Sequence, residues 1–170
     1  MELGAPMAEA YCAQGRLGEA TQIIADTLAL TQATGARHFE ALAWRVQGQI
    51  CTTQGSTAEA ARAFDQAIVL CEAIGNRLEL ARALYQRGTL QRTRDDSEAA
   101  YADWERVCTL CEQMGARVLL WRAHAALGQL ARAIPVGSLE HDGKFLATVT
   151  GHDVDLAGRP VQDCSHTSQH

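Results

Sequence analysis

The sequence predicts an all-α protein built from stacked antiparallel helix pairs, and three observations carry that prediction. Residue types recur at a spacing of forty. Within each repeat, apolar side chains return every three or four residues, as in Ala60, Phe64, Ala67, Ile68 and Cys71, which is one face of an amphipathic helix. The stretches between such faces are only two or three residues long, so consecutive helices have to fold back on one another. Ala, Leu, Gln, Glu and Arg, all good helix formers, dominate the repeats. Aromatic residues make up only 5% of the chain, so the expected core is mainly Ala, Leu, Ile and Val.

Five series share one register: Gly35, Gly75 and Gly115; Gly48, Gly88 and Gly128; Ala20, Ala60 and Ala100; Ala43, Ala83 and Ala123; and Gly15, Gly55 and Asp95. Arg37, Arg77 and Arg117 follow the first series two residues later. The pattern predicts helices over about residues 2–14, 17–34, 38–54, 57–74, 77–93, 97–114 and 117–133, with no sheet in 1–134. Thr57 is a candidate amino-terminal cap for the fourth helix. Gly35, Gly75 and Gly115 each close the helix before them, because glycine takes the left-handed conformation without a steric penalty.

Gly48, Gly88 and Gly128 fall inside helices, where glycine costs about 1 kcal/mol relative to alanine. The repetition implies close helix approach at those points, with Ala20, Ala60 and Ala100 expected to face them. Trp44, Leu84 and His124 at one matched position, and Ile24, Phe64 and Trp104 at another, are expected to fill the space between helices.

These residues resemble the tetratricopeptide repeat (TPR) family. Trp44, Gly48, Gly55, Ala60, Phe64 and Ala67 match its pattern in the second unit, and Leu84, Gly88, Ala100 and Trp104 match in the third. Tyr11, Gly15, Ala20 and Ile24 match in the first, and Leu127 and Gly128 in the fourth. Gln47, Arg87, Cys51 and Gln91 depart from it, and the period exceeds the family's usual 34 residues. The resemblance, over about residues 4–133, implies a right-handed superhelical array of helix pairs, an α-solenoid, with a concave groove lined by the first helix of each pair. It is similar to the long variant in regulatory arrays of bacterial signalling proteins. Carried over position by position, the groove residues are Arg45, Gln49, Arg82, Tyr85, Thr89, Arg92, Arg122 and Gln129. Their arginines suit carboxylates, which guanidinium binds bidentately, or else they pair with nearby glutamates.

Residues 1–134 thus read as a TPR-like domain of three helix pairs plus one further helix, and 135–170 as a polar tail, disordered or forming a marginal hairpin over Lys144–Val149 and Val154–Leu156. Leu119, Leu120, Trp121, Leu127, Leu130 and Ile134 leave the last helix with an apolar face that the tail, through Phe145, Leu146 and Val149, or a second chain is expected to cover.

The sequence carries no phosphate-binding glycine loop, zinc-protease helix motif, nucleophile elbow or calcium loop. Cys108 and Cys111 form a Cys-x-x-Cys pair, but at the wrong end of a helix for thiolate stabilisation. Packing is the expected role of these cysteines, and a thiol-redox protein is the alternative. Cys164, His166 and His170 supply only three candidate metal ligands, so neither a metal nor a cofactor is expected. Acidic residues number 20 against 15 basic ones, a net charge of -5 that argues against a nucleic-acid binder. No apolar run approaches a membrane span, and no secretory signal is visible. The expectation is a cytoplasmic, non-catalytic protein-interaction scaffold that binds a peptide with acidic residues and is able to self-associate through its last helix. Its rival is a regulatory fragment of a larger ATPase, cyclase, kinase or transcription activator.

Overall fold

The structure, a computed structural model, describes residues 3–133. Seven helices fill them: α1 (Gly4–Ala13), α2 (Leu17–Thr34), α3 (Arg37–Thr53), α4 (Thr57–Ile74), α5 (Arg77–Thr93), α6 (Ser97–Met114) and α7 (Arg117–Ala133). No strand occurs among the described residues. Backbone contacts divide the chain after Leu130, and all packing described below lies in the first unit. The expected tail hairpin, Ile134, the docking residues Phe145, Leu146 and Val149, and the Cys164, His166 and His170 set lie outside the described residues.

The turns follow from local chemistry. Gly35, Gly75 and Gly115 adopt the left-handed conformation at the ends of α2, α4 and α6. Between the helices of a pair, Gly15 and Gly55 also have positive φ, and Asp95 takes the same conformation at φ 60. Asp is one of the few non-glycine residues that tolerate this region, which is why the third unit keeps its turn without a glycine. Thr57 is not a cap: it is the first residue of α4, and Ser56 holds the cap position without a side-chain hydrogen bond. Side-chain caps do form where the turn provides an amide or carboxylate. Asn76 accepts from the Glu79 N–H at 3.3 Å and Asp96 from the Ala99 N–H at 3.1 Å.

Helices α1 to α6 each pack against the next, and α1 contacts α3, which contacts α5. Arg77 at the start of α5 reaches Gln113 at the end of α6, while Gly88 and Trp104 meet nearer mid-helix, so the pair is antiparallel. Odd-numbered helices touch residues about one repeat apart and therefore run in the same direction: Gln86 Nε2 donates to Gln49 Oε1 at 3.1 Å, and Arg92 Nη1 to Gln129 Oε1 at 3.1 Å. Among the even-numbered helices, Arg106 Nη2 reaches Glu72 Oε1 at 2.5 Å.

The mid-helix glycines are packing residues, but not against backbone or alanine as the sequence suggests. A Cβ on Gly48 would stand 2.5 Å from Phe64 Cε1, and one on Gly88 would stand 2.8 Å from Trp104 Nε1. Each glycine makes room for the aromatic of its own pair, and both rings are almost wholly buried. Ala60 and Ala100 are fully buried in the same seams, and Ala20 is fully buried beside Ile24 in the first pair. Cys71, Leu84, Val107, Cys108 and Cys111 form the largest core cluster with Ala41, Ala67 and Ala123.

Position 124 departs from the expected filling: His124 is exposed, whereas its repeat equivalent Leu84 is fully buried. Leu84 packs in the core with Val107, Cys108 and Cys111 of α6. The apolar end is narrower than the sequence suggests. Leu119, Leu120 and Leu127 pack against the core and Leu130 is buried beside Trp104, which leaves Val118 and Trp121 exposed at 72% and 70%.

Candidate functional site

Eight residues of α3, α5 and α7 were candidates for a binding groove, and the structure gathers four of them. Arg45, Arg82, Tyr85 and Arg122 line one depression of about 540 Å³, together with Glu9, Gln86, Leu78, Val118 and the first residues of α7. Apart from Ala116 in the turn, every lining residue belongs to an odd-numbered helix. Gln49, Thr89, Arg92 and Gln129 do not line it. Gln49 accepts from Gln86, Arg92 donates to Gln129, and the Thr89 hydroxyl donates to the Tyr85 carbonyl at 2.9 Å.

The arginines differ sharply in availability. Arg45 is only 3% exposed. Its Nε donates to Glu79 Oε2 at 2.9 Å, and Nη1 and Nη2 donate to the two Glu9 oxygens at 3.2 Å each. One guanidinium thus ties α1, α3 and α5 together. Burial pulls the Arg45 pKa down, but the hydrogen bonds and charges of Glu9 and Glu79 outweigh it and hold the group above its ordinary value. Arg45 is therefore the floor of the depression rather than a ligand-binding arm. Arg82 is exposed and holds Glu79 Oε1 at 2.5 Å, so it is anchored at one end with donors to spare. Arg117 and Arg122 are exposed and line the same depression from α7. In the wall, Gln86 keeps a buried Oε1 without a hydrogen-bond partner.

Sequence reasoning missed Glu9, Leu78, Gln86, Arg117 and Val118. Arg117 belongs to the Arg37, Arg77 and Arg117 series, which marks the repeat register. Glu9 and Glu79 lie nearly one repeat before and after Arg45, and that spacing is the signal that would have marked them as its partners.

A second arginine is engaged away from this depression. Arg87 Nε and Nη2 donate to the Asp103 oxygens at 2.8 and 2.7 Å, and Nη1 donates to Asp65 at 2.7 Å. The Asp103 hydrogen bonds hold its pKa above the ordinary value against desolvation.

Cys108 and Cys111 are buried and unbonded. Burial, with Glu112 nearby, pushes the Cys108 thiol up to about 12, and burial raises Cys111 as well. Both are poor nucleophiles in this setting. Among the described residues, no group of three or more His, Cys, Asp or Glu side chains could hold a metal ion, and no helix is long and apolar enough to cross a membrane. No protein-family model matches the sequence, and no curated protein matches it either.

Proposed function

We propose that this chain is a tetratricopeptide-type interaction scaffold, an α-solenoid whose odd-numbered helices form the concave face. That face takes a protein segment carrying acidic residues and one or two apolar anchors. The observation that carries this reading is the convergence of Arg82, Arg117 and Arg122 with Leu78 and Val118 around one depression on the odd-helix face. Guanidiniums pair with carboxylates, while their stems and the exposed aliphatics cover apolar groups. The Arg45 tie holds three helices in place beneath it, and a preformed frame reduces the entropy lost on binding. Neutral, buried thiols at Cys108 and Cys111 favour packing over redox chemistry.

The test is capture of partners on the immobilised chain, followed by titration of the captured partner against Arg82→Glu with Arg122→Glu. The reading expects micromolar, salt-sensitive binding that the double reversal abolishes while helicity stays intact. Unchanged affinity in the folded variant would move binding to another face.

A further inference from the structure

The net charge of -5 conceals a division between two sets of helices. Helices α1, α3, α5 and α7 together hold nine arginines against three glutamates. Helices α2, α4 and α6 hold nine acidic residues against two arginines, Arg62 and Arg106. The division is sharper at the surface. On the odd helices Glu79 is buried and Glu9 is held by Arg45, whereas Arg77, Arg82, Arg117 and Arg122 are exposed. On α6, Glu98, Glu105 and Glu112 are exposed at intervals of seven, two turns apart and so along one side of the helix. None of the three is in an ion pair among the described residues. Each face also carries exposed apolar side chains: Leu78 and Val118 beside the arginines, and Leu30 and Val69 on the acidic even helices.

We infer that the acidic partner of the odd-helix face is a second copy of this chain, seated through its even helices. The inference rests on the reading of the odd-helix face as a docking surface, and it names the occupant. The physical reason is complementarity within one sequence. An arginine-lined depression with aliphatic walls and an acidic helix surface with isolated aliphatics are opposite halves of one contact, and both are present on every molecule. Because the two surfaces differ, the contact is head-to-tail. Each added copy leaves one face of each kind open, so association extends beyond a dimer unless its geometry closes a ring. Charge-rich contacts of this kind are screened by salt.

The test is sedimentation velocity of the full chain across a concentration series at low and high salt. It is run beside two variants checked for helicity: Arg82→Glu with Arg122→Glu, and Glu105→Arg with Glu112→Arg. The wild type should form concentration-dependent species that weaken at high salt. Each variant alone should associate about 100-fold more weakly, since each brings like charges face to face. Mixed together, the variants should pair again, because the intact basic face of one meets the intact acidic face of the other. A wild type that stays monomeric at low salt overturns the proposal, as does a mixture of folded variants that fails to pair. Association that persists in both variants also overturns it and assigns the contact to another surface, such as Trp121 on α7. A glutamate- and leucine-containing peptide is titrated in parallel. If it binds the wild type and no self-association occurs, the docking face stands and only the choice of occupant fails; if neither occurs, both fail.

Discussion

The α3–α4 and α5–α6 pairs solve one packing problem with different side chains. In both, a mid-helix glycine on the odd helix leaves a gap that an aromatic of the even helix fills sixteen residues later. Phe64 does so as a purely apolar ring, its edge facing Gly48. Trp104 brings a polar N–H into the same seam, and its Nε1 donates to the Tyr85 carbonyl at 3.2 Å. The indole is tolerated because its donor is satisfied, and a buried donor left unpaired would be destabilising. The pairs differ in their ion clusters too. Arg45 of α3 is buried and joins three odd helices, whereas Arg87 of α5 is partly exposed and joins Asp65 and Asp103 on the even helices that flank it. The repeat therefore sets the register of each seam, while the non-repeating charges distinguish one pair from the next.

Removing the aromatics should have the largest effect on this comparison. Phe64→Ala and Trp104→Ala should each destabilise the chain by about 3–5 kcal/mol in denaturant unfolding, through the cavity left behind. Trp104→Phe should lose much less, because it leaves a smaller gap and no unsatisfied N–H.

Filling the glycine gaps comes next. Gly48→Leu and Gly88→Leu should each destabilise by about 3 kcal/mol through overpacking, read as a lowered unfolding midpoint. The alanine versions separate the two seams. Gly48→Ala should be the more damaging, because its Cβ would lie 2.5 Å from the Phe64 ring, against 2.8 Å from Trp104 at Gly88. Trimming the ring in Gly48→Ala with Phe64→Leu should recover part of the loss. Strict additivity of the two changes in a double-mutant cycle would contradict direct contact.

The ion clusters should separate by what each deletion strands. Arg45→Ala leaves Glu79 buried beside Arg82 and should cost about 2 kcal/mol, whereas Arg87→Ala leaves the equally buried Asp103 without its ion-pair partner and should cost at least as much. A clearly smaller loss for Arg87→Ala would mean that the stranded carboxylate does not govern the difference.

The smallest effect concerns the thiol next to the Trp104 seam. The folded Cys108 pKa is raised from 9.0 to about 12, so above 9.0 the unfolded chain loses this proton first. The contribution is fully present below 9.0 and is lost as pH rises towards about 12. Cys108→Ala should therefore show a shallower alkaline decline in unfolding free energy than the wild type, and identical slopes would refute the assignment.

Much of the site was readable before the structure, and the part that was not has a common cause. Arg45, Arg82, Tyr85 and Arg122 were named by the family resemblance, which places groove residues on the first helix of each pair, and the structure brings these four together. That Arg45 is consumed by Glu9 and Glu79 depends on how three odd helices line up side by side, which no local pattern states. The division of charge between odd and even helices is present in the sequence, but the whole-chain charge hides it because the two sets nearly cancel.

The helices and their turns follow from local sequence alone. A forty-residue period, amphipathic spacing and left-handed turn residues act within a few positions of one another, so α2 and α4 through α7 span the residues expected of them. Even the Asp95 turn obeys a rule local to one residue. Packing settled that Phe64 and Trp104 fill the glycine gaps, that His124 faces outward, and which arginines remain exposed. Those outcomes depend on contacts between residues from sixteen to about forty positions apart. Their energies arise from burial and paired charge, which exist only once the helices have packed.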